Sequence, residues 1–271
     1  MAERPEALFP LFAGLETLDG VGAKTAKAME PLGIARPKDL LFLLPQAGID
    51  RSRRDSLRDI ALPATATVEV AIGRHNPPRT KGGPYRIVVS DPLLDWILVY
   101  FHARGDYLQR LLPPGQRRVV SGRVELFDGL AQMVHPDHVL RAEEAGSLPA
   151  YEPVYPLAAG VTQKGLQKAV ASVLARTPDL AEWIDPALRA REGWPGWRAA
   201  LVAAHAPEGP AGLAPADPAR QRLAYDEFFA HQLTLALARA NLRRGRGIAS
   251  QGAGALRARV LAGLPYRPTA A

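Results

Sequence analysis

The stretch TVEVAI, residues 67–72, decides the fold, because its side chains alternate between apolar and polar or small residues. Val68, Val70 and Ile72 fall on one side of an extended chain, and the residues between them fall on the other side. This alternation is typical of a half-buried β-strand. It opens a segment, between residues 64 and 141, in which the sequence has a period of two.

Four more strands and one short helix are predicted in this segment. The strands are Tyr85–Ser90, Trp96–Phe101, Arg118–Phe127 and Ala131–Leu140. Between the third and fourth strands, the apolar side chains of Tyr107, Leu108, Leu111 and Leu112 share one side of a helix. Three strands, a helix and two strands is the order of the OB-fold, a five-stranded barrel that commonly binds oligonucleotides. Gly122 is predicted to supply a bulge or sharp bend.

The segments on either side of the predicted barrel are helical. The sequence of residues 1–60 predicts a helical hairpin region. Its third helix runs from Pro37 to Leu44 and ends at a proline. A polar connector that contains Arg51 follows this helix. Residues 148–160 predict a proline-rich linker, and Thr162 is suited to cap the helix that follows it. We therefore predict an α+β chain with a helical region at 1–60, a barrel at 61–145, and a linker with helices at 146–271.

Composition excludes several classes of protein. The 271 residues include no cysteine, which rules out disulfides, thiolate zinc sites and a cysteine nucleophile. No apolar run reaches the ~18 residues that span a bilayer, and the first residues do not form a secretory signal. We expect a cytoplasmic protein that has no membrane partner.

The net charge of +7 is concentrated at one end of the chain. No Asp or Glu follows Glu227, but seven arginines do: Arg239, Arg243, Arg244, Arg246, Arg257, Arg259 and Arg267. Without these seven, the 34 basic residues fall to 27, which equals the number of acidic residues. Three interpretations of this basic stretch remain open: a solvated helix face, a contact with duplex phosphates, and a docking face for another domain.

The segment GVGAKT, residues 20–25, has the composition of a phosphate-binding loop but not its spacing. In a P-loop the last glycine immediately precedes the lysine, whereas Ala23 lies between them here, and the turn joins two predicted helices. The segment better fits a helix-hairpin-helix-like element, in which Gly20, Gly22 and Lys24 contact a DNA phosphate. The alternative is a packed helical hairpin whose glycines only cap helices.

Aromatic and basic side chains cluster around the end of the third predicted strand. Tyr100, Phe101 and Tyr107 are candidates for stacking on unpaired bases. Strand alternation places Tyr100 and Phe101 on opposite faces, so we expect one of them in the barrel core. The candidate phosphate contacts nearby are Arg104, Arg110, Arg117, Arg118 and Arg123.

No catalytic or metal-binding constellation is visible in the sequence. His135 and His138 are three residues apart in a predicted strand, which places them on opposite faces. Asp226 and Glu227 lie in a predicted amphipathic helix rather than at the end of a buried strand. We therefore predict no catalytic residue, no metal and no cofactor in this chain.

Many short strings resemble the N-terminal region of the RecG branch-migration helicases. Residues 18–26 and 32–45 are similar to that family's opening helices. The strings in the predicted barrel are Tyr100-Phe101, Gly122-Arg123-Val124 and residues 132–136, and those in the linker are residues 155–157, 160–163 and 205–207. The sequence departs from the family pattern at His102, where asparagine is common, and at residues 46–48, where basic residues and a tyrosine are common.

The resemblance implies a function in DNA repair and recombination. In this family a wedge domain splits strands at replication forks and Holliday junctions, while motor domains use ATP and Mg²⁺ to drive branch migration. It implies that Phe101 stacks at the junction with Tyr107 as its companion, and that the motor lies in a longer parent chain. The expected partners are branched DNA, single-stranded DNA and the motor domains. Two alternatives remain: a stand-alone OB protein that binds single-stranded nucleic acid, and a structural adaptor that docks onto another protein.

Overall fold

A computed structural model describes residues 5–58, 60–80, 82–244, 252 and 254–266. The chain is a mixed α+β protein, which confirms the predicted class in its coarser form. Its contacts divide it into two compact units, Met1–Ala224 and Tyr225–Ala271. Within the described ranges, no helix combines the length and the apolar character that a membrane span requires.

The helices and strands occur in the following order. The helices are α1 Phe9–Phe12, α2 Ala23–Met29, α3 Pro37–Leu41, α4 Gly105–Leu111, α5 Gln163–Arg176, α6 Pro186–Glu192, α7 Trp197–His205, α8 Pro218–Arg244 and α9 Ala255–Ala262. The strands are β1 Ala47–Asp50, β2 Arg53–Arg54, β3 Ala64–Asn76, β4 Tyr85–Ser90, β5 Asp95–Tyr100, β6 Arg117–Phe127, β7 Leu130–Val134, β8 His138–Leu140 and β9 Tyr151–Val154.

Strand pairing in the larger sheet returns to its starting point. β3 pairs with β4, β4 with β5, β5 with β7, β7 with β6, and β6 with β3. All of these pairs are antiparallel except β5 with β7. Val68, Val70 and Ile72 are buried as their alternation predicted, and Leu108 and Leu112 at α4 complete the same core. These buried side chains form one apolar core.

Gly122 is the place where β6 changes partners. β6 pairs with β8 up to Ser121 and with β7 from Val124. A Cβ atom on Gly122 would lie 2.9 Å from the Met133 sulfur and 3.3 Å from the Asp137 amide nitrogen, so glycine leaves room for the close approach of these segments. Of the two predicted alternatives at Gly122, a bulge against β3 is excluded because the register there is uninterrupted, whereas a sharp bend stays a prediction. The irregularity lies in β3, between Ile72 and His75.

Three sequence-based boundaries need correction. The predicted fifth strand is broken into β7 and β8, because the backbone turns at His135, which has a φ of +47°. α3 ends at Leu41, earlier than the predicted Leu44. Within the predicted polar connector, Arg53–Arg54 forms the short strand β2, and within the predicted proline-rich linker, Tyr151–Val154 forms β9, which pairs with β1 along its whole length.

A second apolar core lies among the helices of the first unit. It joins α1, α2 and α3 to α5, α7 and the beginning of α8, through side chains such as Leu40, Leu166 and Leu201. The Thr162 hydroxyl accepts a hydrogen bond from the Gly165 amide at 3.1 Å, which confirms the predicted cap of α5. Residues before and after the strand ring thus share one core, and the domain boundaries at 60 and 145 stay a prediction.

Arg51 lies in a buried polar cluster between the outer wall of the ring and β9. Its guanidinium donates to Glu152 Oε2 at 2.8 Å and to Ser121 Oγ at 3.0 Å, and it pairs with Asp137 at 2.8 Å. His138 and Gln167 also contact the Glu152 carboxylate, at 3.2 and 3.1 Å. Because the donors surround Glu152, this cluster compensates the charges that it buries.

Acid is expected to weaken this cluster through Glu152. Burial alone would raise the pKa of the Glu152 carboxyl, but hydrogen bonds from His138, Gln167 and Arg51 lower it to about 2 from its usual 4.5. A group with a lowered pKa stabilises the fold above its unfolded pKa and loses this contribution as pH falls toward the folded pKa. The stability advantage of the wild type over Glu152→Gln should therefore shrink between pH 5 and pH 2, as measured by urea unfolding. A constant difference across that range would contradict this assignment.

Candidate nucleic-acid interface

Phe101 and Tyr100 have opposite surroundings, as strand alternation predicted. Tyr100 is the last residue of β5 and is 8% exposed in the core of the ring. Burial raises the pKa of its hydroxyl, and the nearby Tyr107 adds to the effect. Phe101 is 41% exposed. Of the two, Phe101 is therefore the side chain that presents an aromatic surface to solvent.

His135 supports Phe101 from the turn that follows β7. Its Nε2 atom accepts a hydrogen bond from the Phe101 amide at 3.1 Å, and its own amide donates to Val99 O at 2.9 Å. The His135 ring centroid lies 6.0 Å from that of Phe101 and 5.7 Å from that of Tyr100. The sequence did not single out His135 as a site residue. Its one signal was the His135-Pro136 dipeptide, which interrupts the predicted fifth strand.

His102 explains one departure from the family pattern. Its φ is +55°, in the left-handed region that few side chains adopt. Asparagine and histidine are both enriched there, so either residue fits this turn. Position 102 therefore needs a residue that tolerates a positive φ, and both histidine and asparagine meet this need.

Helix α4 presents Tyr107 between two arginines. Tyr107 is 54% exposed, and Arg104 and Arg110 are exposed at the start and in the last turn of the helix. Residues three apart on a helix are neighbours, so Tyr107 and Arg110 share a surface. Arg110 Nε donates to the Asp106 carbonyl at 3.3 Å, while the guanidinium of Arg104 has no partner within the described part of the chain.

The other predicted phosphate contacts have different surroundings. Arg117 Nε donates to Glu69 Oε1 at 2.6 Å. Arg118 is 9% exposed, and it donates to the Leu111 carbonyl at 3.1 Å and to Gln116 Oε1 at 2.7 Å. Arg123 is exposed on β6. Arg104 and Arg110 thus flank Tyr107 on α4, Arg117 and Arg118 already have partners within the protein, and a phosphate contact at any of the five arginines stays a prediction.

Gly20, Gly22 and Lys24 are exposed in the helical part of the first unit. Gly20 has a φ of +78°, and a Cβ atom there would lie 3.1 Å from the Lys168 side chain of α5. Gly22 precedes α2, and Lys24 is exposed on that helix. The turn follows a 3-10 segment, Leu15–Thr17, where a P-loop would follow a strand. A phosphate contact at these three residues stays a prediction.

The second unit carries the basic stretch on exposed helices. Arg239 and Arg243 are exposed on α8, and Arg257 and Arg259 on α9. Arg246 and Arg267 lie outside the described residues, as does the side chain of Arg244. Asp226 and Glu227 lie on helix α8, as the sequence predicted. The three interpretations of the basic stretch all stay open.

The fold and the exposed side chains together define the class of this protein. It is an α+β module in which a ring of paired strands, set between helical segments, presents aromatic and arginine side chains to solvent. Over the residues that the structure describes, no group of three histidine, aspartate or glutamate side chains is placed to hold a metal ion.

Comparison with known proteins identifies the family. The model of the RecG wedge domain matches residues 15–176, which is more than half of the chain. The chain therefore belongs to the RecG wedge domain family, and the resemblance seen in the sequence is confirmed.

Relatives match almost the whole chain. The ATP-dependent DNA helicase RecG of Pasteurella multocida is 27% identical over 263 residues, which cover 94% of this chain and 38% of that protein. RecG of Escherichia coli K12 is 28% identical and covers 95% of this chain. A solved structure described as "Structure of RecG bound to three-way DNA junction" has a TM-score of 0.70 and 25% identity, over 99% of this chain and 36% of that one. The chain thus spans 38% of the length of such curated relatives.

Proposed function

We propose that this chain is the DNA-binding wedge region of a RecG-type helicase, and that it recognises forks and Holliday-type junctions. The observation that carries the proposal is the exposed Phe101, held by His135 and placed beside the arginines of α4. The similar solved structure, described as bound to a three-way junction, supports branched DNA as the ligand.

The strand ring is, in this proposal, a closed OB-fold barrel. Its pairing order β3-β4-β5-β7-β6 returns to β3, and α4 lies between the third and fourth strands of the ring. This is the strand order of the fold that commonly binds oligonucleotides. The proposal rests on the register of the five pairs, each of which contributes at least three paired residues.

Each residue of the interface has a proposed role. Phe101 stacks on the base at the point where the strands part, and Tyr107 supports the adjacent base. Arg104 and Arg110 hold backbone phosphates, which position the DNA without reading its sequence. The preference for a fork then comes from shape and stacking, since these groups do not need a particular base.

ATP hydrolysis belongs, in this proposal, to motor domains of a longer parent protein. The relatives are ATP-dependent DNA helicases, and this chain corresponds to the wedge part of them. We assign the ATP and Mg²⁺ sites and branch migration to those motor domains, and no catalytic step to the residues of this chain. The proposed location of this protein is the cytoplasm.

The experiment is fluorescence anisotropy with a three-way fork, a matched duplex and a matched single strand at two salt concentrations. We expect the tightest binding to the fork, with an affinity that falls as salt rises, because phosphate contacts release counterions. Equal binding to fork and single strand would favour a stand-alone single-strand-binding protein. Absence of salt-dependent binding would favour the structural adaptor.

A further inference from the structure

We infer that the loop between β3 and β4 is a second phosphate-binding site, which holds the DNA backbone next to the base on Phe101. This inference rests on the proposed function and adds a site to it. The loop forms a concavity of about 590 Å³ lined by residues 74–80, 83, 84 and 86. Three arginines lie among these residues: Arg74, Arg79 and Arg86.

The charge of this concavity is uncompensated. All three arginines are exposed, and none of their guanidinium groups makes an ion pair or hydrogen bond with any residue in the described part of the chain. No aspartate or glutamate occurs between Glu69 and Asp91. Arg117 gives the contrast, because Glu69 already occupies its guanidinium. A guanidinium without a carboxylate partner has its donors free for a phosphate, which it binds with two parallel hydrogen bonds.

The floor and rim of the concavity are held in place. His75 hydrogen-bonds Tyr85 through Nδ1 at 3.1 Å and the Leu112 carbonyl through Nε2 at 2.8 Å, which ties the loop to α4. The register shift between Ile72 and His75 includes Gly73 and Arg74, and such irregularities commonly re-aim a side chain. Three prolines in the loop restrict its backbone, so few backbone torsion angles lose freedom when a ligand binds.

Strand register places the concavity beside Phe101. Arg86 is paired with Val99, and Phe101 lies two residues beyond Val99. Diagonal neighbours of this kind in an antiparallel pair are roughly 7–8 Å apart, which is close to the spacing of successive phosphates in a DNA strand. A strand whose base stacks on Phe101 therefore has its next phosphates at the loop.

The test compares two triple variants that lose the same charge. Arg74→Gln with Arg79→Gln and Arg86→Gln empties the concavity of charge. Arg54→Gln with Arg141→Gln and Arg191→Gln removes three exposed arginines elsewhere. Fork binding of the loop variant should weaken roughly 10- to 100-fold at 0.1 M salt, and the slope of its salt dependence should fall by about two to three. The control variant should change the slope little.

A modified fork distinguishes backbone phosphates from other anions. Neutral methylphosphonate linkages beside the branch point should weaken binding by the wild type more than binding by the loop variant, which keeps only Arg104 and Arg110 for these phosphates. Equal weakening of both proteins, or equal affinities of the two triple variants for the normal fork, would overturn the second site. If the loop triple variant does not fold, Arg79→Gln alone, at the exposed tip, gives the same comparison.

The two proposals fail in different ways. If the wild type shows no salt-dependent preference for the fork, the proposed function itself is wrong. If the wild type prefers the fork and Phe101→Ala weakens it, while the loop variant behaves as the control does, only the second site is wrong.

Discussion

Replacing Arg51 with methionine is expected to lower the free energy of unfolding by about 3–5 kcal/mol. The Arg51 side chain is 2% exposed and is the cation that faces both Glu152 and Asp137. Its loss leaves the buried Glu152 carboxylate without this partner, and it removes a donor from Ser121. The measurement is equilibrium urea unfolding at pH 7, followed by circular dichroism.

Arg54→Met is the matched control for Arg51→Met. Arg54 is exposed in the neighbouring strand β2 and lies 3.6 Å from Asp50, a surface pair of the kind that contributes at most ~1 kcal/mol. If both variants lost similar, small amounts of stability, the buried cluster would not join the ring to β9 in the way described.

Replacing Phe101 with alanine is expected to weaken fork binding by roughly 1–3 kcal/mol. The reason is the loss of the aromatic surface on which the base at the branch point stacks. Because Phe101 is 41% exposed, the stability of the fold should change by less than the ~3–5 kcal/mol of a core phenylalanine. Anisotropy titration gives the affinity, and thermal unfolding gives the stability.

Phe42→Ala provides the matched control for Phe101→Ala. Phe42 is 56% exposed, but it lies at the end of α3 in the helical part of the first unit. We expect its replacement to leave fork affinity unchanged. A loss of ~3–5 kcal/mol of stability in Phe101→Ala, or unaltered fork affinity, would show that Phe101 fills space rather than contacts DNA.

Local patterns in the sequence predicted those features that depend on neighbouring residues. The alternation of Val68, Val70 and Ile72 predicted β3, and the alternation of Tyr100 and Phe101 predicted that one would be buried. These predictions hold because the side-chain direction in a strand repeats every two residues whatever the rest of the fold does.

Features that depend on distant residues were not predictable in this way. Arg51 was assigned to a polar connector, because its partner Glu152 lies 101 residues further along the chain. Arg74, Arg79 and Arg86 look like ordinary loop and strand residues in the sequence, but the loop gathers them around one concavity, and the register of β4 and β5 brings Arg86 near Phe101. Likewise, Arg118 is basic and close in sequence to the aromatic residues, which suggests a phosphate contact, but its guanidinium donates to the Leu111 carbonyl and to Gln116.

The most direct test of the proposed wedge uses a fork that carries the fluorescent base 2-aminopurine at the branch point. If Phe101 stacks on that base, binding of the wild type and of Phe42→Ala should change its fluorescence, and saturating Phe101→Ala should not. The same change in all three proteins would contradict the account, because the base would then be in contact with some other part of the chain.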